Sequence, residues 1–367
     1  MTGARAAAEA TDTASAHVAA VLDTVRRAIA EHQVDALLVT QPANVRYLSS
    51  FSSPADGAVL VLPDGAVLLT DARYTAQAAE EAVIPHEIVA NRDDVIASKV
   101  AGLRLAVESE HVTMQRFKAL SDKLGVAPTP LDGVVSRLRV VKGDHEIALL
   151  REAARLTDVA FKAVLGMMRA GVSEVEVALE LERVMRSEGA DGPSFETIVA
   201  SGKRGAMPHG AASQKRLEDG DLVTLDFGAC YRGYHADMTR TVGIGSVGDE
   251  ERRMYAAVLE AQVAAVAAVR PGRTGIELDS VARDILTSHG LGERFSHSLG
   301  HGTGLQIHED PRLSQLSPNV LEPGMIVTIE PGVYIPGFTG LRIEDLVLVT
   351  ADGHEVLSHS PKELITL

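Results

Sequence analysis

Acidic residues set inside apolar, strand-like blocks limit what this chain can fold into. Asp226 follows Leu222-Val223-Thr224-Leu225 and precedes Phe227-Gly228. Glu330 follows Met325-Ile326-Val327-Thr328-Ile329, and Glu344 lies between Leu341–Ile343 and Leu346–Val349. A carboxylate is expensive to bury unless its charge is compensated. One such acid can end a strand against an arginine or cap a turn. Here Asp237 in ADMTRT and His301 in LGHGTG join the set, all in glycine-flanked strand blocks. Acids that share a core unpaired repel one another and their pKa values rise. Cations remove that penalty, so Asp226, Asp237, His301, Glu330 and Glu344 read as ligands for two divalent ions.

In a strand, residues i and i+2 share a face. Thr224 with Asp226, His235 and Thr239 with Asp237, Thr328 with Glu330, and Arg342 with Glu344 are therefore expected side by side. Each acid would then have a polar neighbour on its own face to orient it. Oxygen-rich ligation with one imidazole points to Mn2+ first, with Co2+ or Zn2+ as alternatives. The glycines around His301 would let backbone come close to a ligand. His297, His301 and His308 cluster in FSHSLGHGTGLQIHED, and His209 stands in MPHG. His235 can be a site residue or an ordinary hydrogen-bonded one. The other histidines read as ordinary.

The chain has 367 residues, enough for two domains. Its net charge of -15 disfavours nucleic acid and anionic membranes as partners. A single cysteine, Cys230, excludes an intrachain disulfide, and no apolar run is long enough to span a bilayer. The N-terminus has no signal-peptide core, so a cytoplasmic protein is expected.

Residues 1–16 read as a flexible tail. A helix follows over 17–31, a strand over 34–40 and a hairpin around Asp64-Gly65. A helix over 74–82, strands at 87–90 and 103–109 and a helix over 114–124 complete an α/β domain, 17–132. Prolines and glycines mark a linker at 133–144. Domain 145–367 then carries a long amphipathic helix from 146, a capping box at Ser173/Glu176 with Gly189 beyond the helix end, and helices at 250–269 and 276–288. Its strands are segregated from its helices, which predicts an α+β domain with a largely antiparallel sheet.

The ordered set LDFG, ADMTRT, HSLGHGTG, HE, IEPG and RIED resembles the pita-bread metallopeptidases, and the resemblance covers 145–367. DALLVTQPANVRYLSSF and LLTDARYTAQA resemble the creatinase-like N-terminal domain of the proline-specific members, prolidases and aminopeptidases P. The resemblance implies a curved sheet around two metal ions. Asp237 and Glu344 would make bridging or bidentate contacts, with Asp226 on one metal and His301 on the other. It further implies a metal-bridged hydroxide that attacks an Xaa-Pro bond, with Glu330 as proton carrier. His209, His297 and His308 would line the substrate pocket and stabilise the reacting centre. Arg312, read as a loop residue after Pro311, would bind the carboxylate of a short proline-containing peptide. Prolidase is the expected activity and aminopeptidase P the alternative. An inactive binding protein on the same scaffold should show ligand losses, and here all five ligands are kept. The proline-specific relatives imply a homodimer, with the loop around Arg46 to Asp56 as the segment that reaches a partner.

Overall fold

The computed structural model describes the backbone of residues 2–367 and the side chains from residue 15 onward. The chain divides into two compact units, Met1–Arg139 and Val140–Leu367. That division falls inside the 133–144 stretch, which holds a 3-10 turn at Ser136–Arg139 and the start of a helix at Asp144.

The first unit is an α/β layer. Its six-stranded sheet is mixed. Ala36–Val39 pairs antiparallel with Ala58–Leu62 and parallel with Leu105–Glu108. The hairpin forms, but Leu62 pairs with Gly65, so its two-residue loop is Pro63-Asp64, not Asp64-Gly65. Proline pre-sets the φ that the first loop position needs, and that preference decides the turn. The first helix spans Thr2–Glu31. The backbone of residues 2–16, read from sequence as a tail, continues it, in keeping with the high helix propensity of that alanine-rich stretch. Met1 and the side chains up to residue 14 lie outside the described residues. Seven of the eleven residues of the expected Arg46–Asp56 loop are helical instead. Pro42–Ser49 is a helix that Ser50 ends in a left-handed conformation, and Pro54–Asp56 is a 3-10 turn. Gln41 caps that helix by accepting the Asn44 N–H, and Pro42 in its first turn has the φ a helix needs.

The second unit carries the acids. Helices Asp144–Val164 and Glu174–Ser187 pack on the antiparallel strands Ile198–Ser201, Leu222–Phe227 and Met238–Gly243. The capping box forms, with Ser173 Oγ accepting the Glu176 N–H at 3.3 Å and the Glu176 carboxylate accepting the Ser173 N–H at 2.8 Å. Gly189 follows with φ 109°. Helices Asp249–Ala268 and Gly275–Ser288 share a second core with Ile326–Ile329 and Asp345–Val349. Those strands belong to a five-stranded antiparallel sheet with Gly300–Gly302, Glu309–Leu313 and His354–Val356. Each fully buried Leu or Val in these cores contributes about 1.5–3 kcal/mol against the entropy of ordering the chain. All pairings between named strands in this unit are antiparallel among the described residues, and helices back two separate sheets.

Candidate metal centre

The two sheets meet where the acids are. Asp237 directly precedes the strand Met238–Gly243, and Glu344 directly precedes Asp345–Val349. The Glu344 N–H donates to the Thr239 carbonyl at 3.0 Å, which ties one sheet to the other at this point. Asp226 faces Thr239 across the ladder. Carboxylate oxygens of Asp226, Asp237 and Glu344 lie within 4.8 Å of one another, and all three residues are buried.

His301 lies in the strand Gly300–Gly302, where the glycines are a packing requirement. A Cβ at Gly300 would stand 2.0 Å from the Thr328 carbonyl, and one at Gly302 would stand 2.2 Å from the Asp310 carbonyl. They admit the neighbouring strands at close range. The preceding segment is fastened to the helix Gly275–Ser288: Asp279 accepts the Leu299 N–H at 3.1 Å and Arg283 donates to the carbonyls of Phe295 and His297. The His301 Nδ1 lies 3.0 Å from the Gly302 carbonyl, which can only accept. Nδ1 therefore carries the proton, and Nε2 presents a lone pair. That lone pair stands 3.5 Å from Asp237 Oδ2 and 3.4 Å from Glu330 Oε1. Burial keeps this imidazole neutral, with its pKa lowered.

Electron pairs thus face electron pairs. Asp237 Oδ1 and Glu344 Oε1 are buried with no hydrogen-bond partner. Burial, and then repulsion from neighbouring carboxylates, pushes the pKa of both acids well up. Glu330 rises to about 7, again chiefly through burial, with Arg342 opposing. Buried polar atoms are almost always satisfied, so orphaned oxygens beside an imidazole lone pair fit a divalent cation. These residues suit a hard-to-borderline ion.

The acids' partners differ from those expected along each strand. Only Thr328 serves its own i+2 neighbour, donating to Glu330 at 3.1 Å. Glu344 is held from the other sheet by Thr239 Oγ1 at 2.7 Å, and Asp226 by the Arg342 guanidinium. Thr224 turns to Thr241 instead. Arg342, read as the partner of Glu344, also donates to Thr239 Oγ1 at 2.9 Å and to Tyr334 Oη at 2.7 Å. Strand alternation says which residues share a face. Register across a sheet junction decides which of them touch.

The expected pocket histidines fall into different settings. His297 Nδ1 donates to the Ser298 carbonyl at 2.8 Å, and Nε2 meets Tyr334 Oη at 3.0 Å. Its link to the carboxylates runs through Tyr334 and Arg342. Burial, then the Arg342 charge, depresses its pKa to about 4. His308 stacks edge-on against His301 with centroids 4.4 Å apart. His209 is exposed, next to Pro208, whose carbonyl takes a 3.4 Å bond from Arg342. Arg312 is not in a loop. It lies in the strand Glu309–Leu313 directly opposite His301, with its side chain exposed. The apolar, polar alternation of Pro311-Arg312-Leu313 was the available signal. His235 has a strand position paired with Cys230, its N–H donating to the Gly304 carbonyl at 2.8 Å. The sequence reading misses Tyr334, which has no local signature, and it underrates Arg342, the cation that ends the strand Thr339–Arg342.

Residues 148–351 match the model of metallopeptidase family M24, and residues 22–141 match the creatinase/prolidase N-terminal domain. The chain belongs to the M24 family. It is 40% identical over 336 residues to an Xaa-Pro dipeptidase of Pyrococcus horikoshii, covering 91% of this chain and 95% of that protein. The solved Xaa-Pro dipeptidase from Bacillus anthracis superposes with a TM-score of 0.92 at 45% identity, covering 95% of this chain and all of that one (100%). An X-Pro aminopeptidase of Thermotoga maritima matches with a TM-score of 0.86 at 38% identity over 91% and 98% of the two chains. Among the described residues of this M24 chain, no helix is long and apolar enough to cross a membrane.

Proposed function

We propose that this chain is a metal-dependent exopeptidase that hydrolyses the Xaa-Pro bond of dipeptides. The observation that carries the reading is the buried cluster Asp226, Asp237 and Glu344 with unpartnered oxygens, set in an M24 chain that is similar to Xaa-Pro dipeptidases. Asp226, Asp237, His301, Glu330 and Glu344 would hold two divalent ions, Mn2+ in the first place. Bound there, such ions supply Lewis acidity toward a water and the scissile carbonyl. Glu330, oriented by Thr328, takes the proton of the attacking water and returns it to the prolyl nitrogen. That nitrogen is a tertiary amide and leaves only when protonated. His308 and His209 flank the substrate side, and Tyr334 keeps the ring of His297 in place. Asp226 is held by Arg342, which limits its rotation. A homodimer in the cytoplasm belongs to the same reading.

Arg312 fits a clamp for the C-terminal carboxylate of a dipeptide, because it stands exposed across the ladder from His301. A charge-assisted hydrogen bond is worth about 1.5–3 kcal/mol, so Arg312→Ala is expected to raise KM for a dipeptide about tenfold or more. KM for an amidated or longer peptide should stay near its wild-type value. Equal effects on both substrates would remove the clamp.

Aminopeptidase P activity is the second reading, supported by the likeness to the Thermotoga maritima enzyme. A panel of Xaa-Pro, Xaa-Pro-Xaa and proline-free peptides, with metal analysis of the protein, separates the two. Free proline released from dipeptides alone is the expected result. Cleavage of tripeptides at equal rate would favour the second reading.

A further inference from the structure

Strand alternation gives the centre a back face as well as a front. Asp237 and Thr239 point to the acids, so Arg240 points away, and Asp345 likewise lies behind Glu344. On that back face Arg240 and Asp345 form an ion pair at 2.7 Å, and both are essentially fully buried. The Arg240 Nη1 donates to two carbonyls, that of Thr239 at 2.9 Å and that of Glu344. These two residues also share the backbone bond and the hydroxyl–carboxylate bond that join the sheets. One guanidinium thus grips both sides of the junction that carries the acids. It is held in turn by the C-terminal segment. Arg240 donates to the Ser360 carbonyl at 2.8 Å, while Lys362 at 2.7 Å and Gln262 at 2.9 Å donate to Asp345 Oδ2.

We infer that Arg240 and Asp345, locked by residues 360–362, are positioning residues that set the spacing between Asp237 and Glu344 and thereby the affinity of the centre for its metal. The inference rests on the metal-centre reading above. A buried ion pair is weak evidence of stability, since an apolar pair can serve as well. The planar fork reaches the two junction carbonyls through Nη1 and, at the same time, Asp345 and the Ser360 carbonyl through Nη2, a spread that the single ammonium of lysine does not reproduce. Arg240→Lys keeps the charge opposite Asp345 and loses the fork.

The test titrates the metal-free full-length protein with Mn2+ and follows binding by calorimetry and by Mn2+ electron paramagnetic resonance. Outer-shell substitutions change metal affinity about 10–100-fold, so Arg240→Lys is expected to raise the Mn2+ Kd at least about tenfold. Lys362→Met, which loosens Asp345 from the outer side, should raise it about threefold. A lowered thermal midpoint with a Kd within about twofold of wild type would assign a purely structural role and overturn the proposal. If Arg240→Lys does not fold, Lys362→Met decides alone on the same criterion. Glu344→Ala is the reference variant. Full Mn2+ retention there would remove the metal-centre reading itself. Loss of Mn2+ there beside an unchanged Kd in Arg240→Lys would remove this proposal only.

Discussion

Glu344→Ala is expected to strip the protein of bound metal and to lower kcat by about 10³-fold or more, because metal activation supplies several kcal/mol and each 1.36 kcal/mol is tenfold in rate. Asp237→Asn should do the same, as both residues contribute an oxygen that has no other partner. The metal-free variants are also expected to melt above metal-free wild type near pH 8. Each removes a buried acid whose ionisation the fold opposes. Metal analysis, steady-state kinetics and thermal melts in chelator check the three parts together. Wild-type turnover with a full metal complement in either variant would end the ligand assignment.

The second large effect is in pH. The metal-free fold binds the Glu330 proton more tightly than the unfolded chain does, since its pKa moves from 4.5 to about 7. The stability this gives is complete below pH 4.5 and is lost as pH rises through about 7. The loss amounts to on the order of 3 kcal/mol. The buried histidines act in the opposite sense. His297, at about 4, costs stability as pH falls from 6.5. Comparison with Glu330→Gln cancels that contribution. In chelator, the Gln variant should gain on wild type as pH rises from 5 to 8, and the order should reverse when Mn2+ is added. A stability difference that stays flat over that range without metal would refute the raised pKa of Glu330.

Much of the site was legible because its elements are local. Four acids and a histidine in apolar strand blocks announce a shared charge problem, and the Ser173/Glu176 box marks a helix start without any tertiary information. The reading failed where contacts are not local. Pro311 makes the sequence around Arg312 read as a loop, yet the strand Glu309–Leu313 tolerates that proline. Strand spacing pairs the acids with neighbours on their own strands, and in three of the four groupings contacts from elsewhere replace these. A hydroxyl or guanidinium chooses its acceptor by position in three dimensions, and sequence spacing constrains only its face.

The sequence by itself determined the class of the two domains, the segregation of helices from antiparallel strands, and the inventory of carboxylates and imidazole that could hold a metal. Those follow from periodicities of hydrophobic burial and from the chemistry of carboxylate and imidazole, both properties of short segments. The tertiary structure alone decided how the inventory becomes a centre. It brought Thr239 to Glu344 and Arg342 to Asp226 across the meeting of two sheets, put Tyr334 between His297 and Arg342, and set Arg240 behind the junction. The physical reason is register. A one-residue slip of a strand would turn its side chains to the opposite face, and the packing of the helical layers on the buried faces opposes it.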